Sequence, residues 1–149
     1  MYNKIEFLNK SFTFIYDTVA PTATITLEDT SLKIGETSLV TITFSEVVAN
    51  FAIGDLTAEN GTLSNLVQDS VDLKKWTATF TPTTNIEDSS NVISLANTYT
   101  DVAGNTGTTA TSANYTVDTT APAAPTVAEL TTTDLTDNKM NDAESATTT

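Results

Sequence analysis

One short string occurs twice in this chain, and its spacing limits the fold more than any other feature. Asp118-Thr119-Thr120-Ala121-Pro122 repeats Asp17-Thr18-Val19-Ala20-Pro21 with a single substitution, roughly one hundred residues later. Both copies follow an apolar β-type run, Phe14-Ile15-Tyr16 in the first case and Tyr115-Thr116-Val117 in the second. A string recurring at that interval marks borders in an array, because the chain leaves each unit and begins the next in the same way. Proline fixes φ and lacks an amide donor, so no sheet runs straight through Pro21 or Pro122. The spacing predicts one complete domain over residues 17–122. Residues 1–16 read as the last strand of a preceding repeat or as a non-native leader. Residues 123–149 read as the start of a following repeat, largely disordered, because too few apolar side chains remain to offset the entropy of ordering.

Between the two copies the periodicity is that of strands throughout. Thr22–Leu27 alternates with period two, and Ser31–Ile34 follows before Gly35-Glu36 turns the chain. Thr37–Phe44 is the clearest strand, with Val40, Ile42 and Phe44 on one face and Thr41 and Thr43 on the other. Asn60-Gly61, between two β-type runs, predicts a two-residue hairpin turn. Trp76–Phe80, Val92–Tyr99 and Ser112–Val117 complete the set. About seven to eight short antiparallel strands in one hundred residues, divided by Gly, Pro, Asn and Asp, predict an all-β, immunoglobulin-like β-sandwich. Its expected core is Ile25, Val40, Ile42, Phe44, Trp76, Phe80, Ile93, Leu95, Tyr115 and Val117, with the single Trp at the centre.

Charge and composition narrow the chemistry. The net charge is −13, from nineteen acidic residues against six lysines. Without a basic cluster there is nothing to neutralise phosphates, so nucleic acid is excluded as a partner. Nothing approaches the length of a membrane span, and Met1–Tyr16 lacks the long apolar run and cleavage site of a signal peptide. If the protein is exported, its signal lies elsewhere in a longer parent chain. The absence of Cys and His removes zinc, copper and haem ligation, thiol chemistry and triad catalysis. Paired carboxylates alone do not argue for an enzyme, since nineteen acids always supply a pair, and a small sandwich offers little concave surface. The chain is read as non-enzymatic.

Several motifs stand in a familiar order: the Asp-Thr-Thr-Ala-Pro linkers, Ile34-Gly35-Glu36-Thr37 leading to Thr43-Phe44-Ser45-Glu46, and Tyr99-Thr100-Asp101-Val102-Ala103-Gly104-Asn105. Together they resemble the bacterial Ig-like repeats of large RTX-type and biofilm-associated surface adhesins. The resemblance covers Asp17 to Pro122. It implies a secreted, tandem β-sandwich stalk that holds a distal binding domain away from the cell, with neighbouring Ig-like repeats as its partners and Ca²⁺ at the junctions. The alternative is a carbohydrate-binding or accessory module of a secreted enzyme, which would present two or three exposed aromatic rings on one face.

Strand alternation sorts the loops by end of the sandwich. The loop after Phe44 and the loop from Asp101 to Gly107 should both return to the end at which the chain begins. Asp17, Glu46, Asp101 and the Asn105 amide then converge there, while Asp118 lies at the opposite end facing the tail. Calcium takes six to eight oxygen ligands at about 2.3–2.6 Å in irregular geometry, which such a cluster suits. The same acids also fit a simpler role as solvated loop residues, with Asp101 and Asn105 making turn hydrogen bonds.

Overall fold

The computed structural model describes residues 16–124. The flanking segments assigned above to neighbouring repeats, residues 1–16 and 123–149, fall almost wholly outside the described residues. In chain order the strands are β1 (Ala23–Leu27), β2 (Ser31–Lys33), β3 (Ser38–Phe44), β4 (Val48–Ala49), β5 (Leu56–Ala58), β6 (Gly61–Gln68) and β7 (Lys75–Pro82). They continue with β8 (Glu87–Asn91), β9 (Ile93–Leu95), β10 (Thr100–Asp101), β11 (Ala110–Thr111) and β12 (Tyr115–Asp118). Among the described residues a single 3₁₀ turn, Ile53–Asp55, precedes β5.

The first layer is a continuous antiparallel sheet in the order β1-β3-β7-β6. The second is assembled from two three-stranded pieces, β2-β12-β8 and β11-β9-β5. Only Val92 separates β8 from β9, and Ser112–Asn114 separates β11 from β12, so the pieces are halves of one interrupted sheet. Backbone and side-chain groups together carry the ladder across the gap. The Ser112 amide donates to the Ile93 carbonyl (2.9 Å), and the Ile93 amide donates to Ser112 Oγ (3.0 Å). The Asn91 amide donates to Asn114 Oδ1 (2.9 Å). Counting each interrupted strand once gives four strands in each layer, as expected of an immunoglobulin-like sandwich, with the short β4–β10 pair as a separate two-stranded ribbon.

Alternation along β3 buries Ser38, Val40, Ile42 and Phe44 while Leu39 and Thr43 face out. Opposite them Leu32, Ile93, Leu95, Tyr99, Tyr115 and Val117 are buried to within one per cent of complete. Phe44 packs at 5.0 Å centroid distance on both Phe51 and Tyr99, and Phe80 packs at 5.0 Å on Tyr115. Nine of the ten expected core residues are buried, and Leu32, Tyr99 and Phe51 join them.

Two sequence expectations need correction. Trp76 is half-buried rather than central. It lies edge-on to Phe51 (5.2 Å, 86°) at the margin of the core, with its indole N–H unpaired. The centre belongs to Tyr99, Tyr115, Phe44 and Phe80, whereas Trp76 is the second residue of β7, next to the β6–β7 hairpin, and Phe80 lies further along the same strand. Asn60-Gly61 is also no hairpin turn. β5 pairs with β9 and β6 with β7, so the dipeptide carries the chain from one layer to the other. Asn60 alone takes the left-handed conformation (φ 51°). Gly61 is required by space, since a Cβ there would lie 2.3 Å from the Phe80 ring and 2.6 Å from the Thr81 carbonyl.

Candidate functional site: the two ends of the sandwich

Register places the linkers at opposite ends. Ala23 at the start of β1 faces Phe44 at the end of β3. The following loop is stitched back onto the first linker, the Thr22 amide donating to Ser45 Oγ (3.0 Å) and the Ser45 amide to the Thr22 carbonyl (2.9 Å). At the other end of the molecule β12 runs parallel to β2, and its last residue, Asp118, pairs with Lys33 and Glu87.

At the first end the chain assembles an acidic cluster. β10 pairs with β4, setting Asp101 opposite Val48 and directly behind the Ser45-Glu46 loop. One carboxylate oxygen each from Asp17, Glu46 and Asp101 lies within 4.8 Å of the others. Asp101 begins a tight turn. Its amide donates to the Asn105 carbonyl (3.0 Å), the Gly104 amide donates to the Asp101 carbonyl (3.4 Å), and Gly104 has φ +96°. Asn105 returns two donors to the Asp101 carboxylate, its amide to Oδ1 (2.8 Å) and Nδ2 to Oδ2 (2.6 Å). Nδ2 also donates to the Asp17 carbonyl (3.1 Å), fastening the linker to the turn.

The electrostatics of the three acids differ. Asp101 is only 2% exposed. Burial pushes its carboxyl up, but the hydrogen bonds from Asn105, Gly104 and Ala103 outweigh it and hold the group below its ordinary value. Glu46 moves the other way, raised by burial first and then by the negative charges of Asp17 and Asp101. The turn thus keeps Asp101 ionised, and Glu46 bears the resulting repulsion.

Of the five residues singled out in the sequence, Asp17, Glu46, Asp101 and Asn105 are brought together. Asp118 is at the far end of the sandwich. Asn105 presents its NH₂ to the Asp101 carboxylate and the Asp17 carbonyl, so it braces the cluster as a donor while the three acids supply the carboxylate oxygens. The linker proline has a role the sequence did not announce. Its carbonyl accepts from the Thr108 amide (3.0 Å) and from the hydroxyl of fully buried Tyr99 (3.3 Å). Gly107 permits this, because a Cβ there would lie 2.2 Å from the Tyr99 ring.

The second end uses a hydroxyl instead of carboxylates. Thr119 is 3% exposed. Its Oγ1 donates to the Thr83 carbonyl (2.7 Å) and accepts from the Ile86 amide (2.9 Å). Its backbone amide donates to the Ile86 carbonyl (2.7 Å), and its own carbonyl accepts from the Asn85 amide (3.3 Å). Sequence reasoning missed this residue, although Thr18 and Thr119 occupy the same place in the repeated string.

Comparison with protein families matches residues 17–117 to the bacterial Ig-like domain. No curated protein and no solved structure matches the chain. The match spans most of the sequence, and the chain belongs to the bacterial Ig-like domain family.

Proposed function

From that membership, we propose that the chain is a spacer repeat of an extracellular bacterial surface protein of the adhesin type, stiffened by calcium at the junction between neighbouring repeats. One observation carries the reading: the same linker string joins the domain at opposite ends, beside Phe44 in one case and Lys33 in the other. Units joined in that manner follow one another head to tail, and each adds its length to the array.

The donor set fits a hard cation. Three carboxylates with oxygens within 4.8 Å offer oxygen ligands alone, with no nitrogen or sulfur among them. The raised Glu46 records repulsion that a divalent ion would relieve. Calcium would supply positive charge and a flexible coordination shell. Asp17, Glu46 and Asp101 would hold it, while Asn105 keeps Asp101 ionised and Asp17 in place. The corresponding aspartate of the second linker, Asp118, would serve the next repeat. The aromatic residues favour a spacer over a sugar-binding module. Among the described residues only Tyr16 is an exposed aromatic, while Phe44, Phe51, Phe80, Tyr99 and Tyr115 are buried and Trp76 is half-buried.

A protein carrying residues 17–122 twice in tandem tests the calcium reading. Its melting temperature should rise in calcium relative to chelator, because an ion that binds only the folded form stabilises it by mass action. Asp101→Asn should abolish that difference. Equal melting temperatures in both buffers would reduce the cluster to solubilising charge.

A further inference from the structure

We propose that Asn60-Gly61 is a site of spontaneous modification, and that its conversion to an acid is a one-way latch on a domain that has opened. It is the only asparagine-glycine pair in the chain. In such a pair the glycine amide nitrogen attacks the asparagine Cγ, because no glycine side chain shields it. A new C–N bond closes a five-membered imide, and the old Cγ–Nδ2 bond breaks. The proton from the glycine N–H leaves with the departing nitrogen as ammonia. Water then opens the ring at either carbonyl. The product is aspartate, or its isomer in which the main chain runs through the side-chain carbon. Water is the only co-reactant.

The fold requires both members of the pair. Asn60 has φ 51°, a conformation that asparagine adopts at less cost than most side-chain-bearing residues. Gly61 has no space for a Cβ against the Phe80 ring and the Thr81 carbonyl. The native contacts also restrain the reaction. Asn60 Nδ2 donates to Asp88 Oδ2 (2.8 Å) and to Asn91 Oδ1 (2.6 Å), which holds the amide against β8. The main chain on either side is tied down, the Thr83 amide donating to the Asn60 carbonyl (2.8 Å) and the Tyr115 hydroxyl to the Glu59 carbonyl. With side chain and backbone both fixed, Cγ does not swing over the Gly61 nitrogen. Conversion therefore waits for the β5–β6 crossover to open.

The product does not fit the place it leaves. Asn60 Nδ2 is a donor between two acceptors. A carboxylate there faces the Asp88 carboxylate, a like charge, and deprives Asn91 Oδ1 of its donor. Asn91 is 1% exposed and is not free to turn over, because its own Nδ2 donates to the Asp88 and Tyr115 carbonyls (3.0 and 3.1 Å). The isomer fits worse, since it lengthens the main chain immediately before the crowded Gly61. Opening exposes the pair and conversion opposes closing, so a reversible excursion becomes an irreversible one. The latch belongs to a single domain and depends on neither calcium nor the spacer reading.

The full chain is held at mildly alkaline pH in native buffer and in denaturing urea, with conversion at each asparagine followed by peptide mass spectrometry. Conversion at Asn60 should be roughly tenfold or more slower in native buffer, and in urea it should outrun every other asparagine. After urea is removed, the fraction that fails to regain the parent melting temperature should track the fraction converted at Asn60. Asn60→Ser forms no imide and brings no charge, so it should regain its own melting temperature fully after the same incubation. Asn60→Asp should melt below Asn60→Ser. Equal conversion in the two buffers would overturn the protection by the fold. Converted chain that melts with the parent, or an equal loss of refolding in Asn60→Ser, would overturn the latch.

Discussion

The two ends of this sandwich receive the same five-residue linker and use different parts of it. At the first end the aspartate matters: Asp17 joins Glu46 and Asp101, and Asn105 grips its carbonyl. At the second end the threonine matters: Thr119 is buried in a neutral network of hydroxyl and backbone groups, and Asp118 is left at the surface. On the proposed spacer reading, the difference would let one string close one unit and open the next. The short polar side chain of Thr119 is completed within this domain, and the Asp118 carboxylate one residue earlier stays at its surface. It also separates two kinds of stability. The second end is satisfied by hydrogen bonds alone, whereas the first carries unrelieved like charge.

The largest effect should come from the residue tying the first end to the core. Tyr99→Ala removes a fully buried ring together with its hydrogen bonds to the Pro21 and Thr108 carbonyls and should cost about 3–5 kcal/mol, read by chemical denaturation. Trp76→Ala should cost less, because that ring is half-exposed. A larger loss at Trp76 would restore it to the centre of the core. Thr119→Val keeps the shape but strands the Ile86 amide and Thr83 carbonyl, at about 1–3 kcal/mol. The loss should be the same with calcium or chelator, which is the clearest contrast with the first end. Tyr99→Phe, which keeps the ring and gives up its hydrogen bonds to Pro21 and Thr108, should cost about 1 kcal/mol.

The smallest effects are those of pH, and they have opposite signs within the cluster. The carboxyl of Glu46 is raised in the folded state, so its contribution is present below the unfolded value and is lost as pH rises through the raised one. In chelator at neutral pH, Glu46→Gln should therefore melt slightly above the parent, with the gap closing as pH falls into the glutamate range. Asp101 is depressed, so its contribution is present above the unfolded value and is lost as pH falls through the depressed one. Asp101→Asn should melt below the parent at neutral pH and approach it in acid. Thermal melts across that range check both, and parallel curves for the two variants would show that the acids do not interact.

Much of the fold was legible because its signals are local. Alternation in Thr37–Phe44 marked β3 and its buried face. What escaped has no apolar rhythm of its own. β8, with the sequence Glu-Asp-Ser-Ser-Asn, is a strand only because β12 supplies its ladder and Asn91 bonds to the Tyr115 carbonyl. Asn60-Gly61 looks like a hairpin turn in isolation, and only the competing partners β9 and β7 show that it crosses between layers. The acidic cluster could be found because strand direction sorts loops by end. The turn bonds between Asn105 and Asp101 are local and were expected, whereas the Asn105 bond to the Asp17 carbonyl and the burial of Thr119 depend on contacts distant in sequence, which no local pattern encodes.

The central claim is that linkers at opposite ends turn each domain into one increment of length. Small-angle scattering from the protein carrying residues 17–122 twice, against the single domain, tests it most directly. The account predicts a maximum dimension roughly twice that of one domain, with a narrower spread of shapes in calcium than in chelator. A compact particle in both buffers, with the two domains side by side and a maximum dimension little beyond that of one, would contradict it.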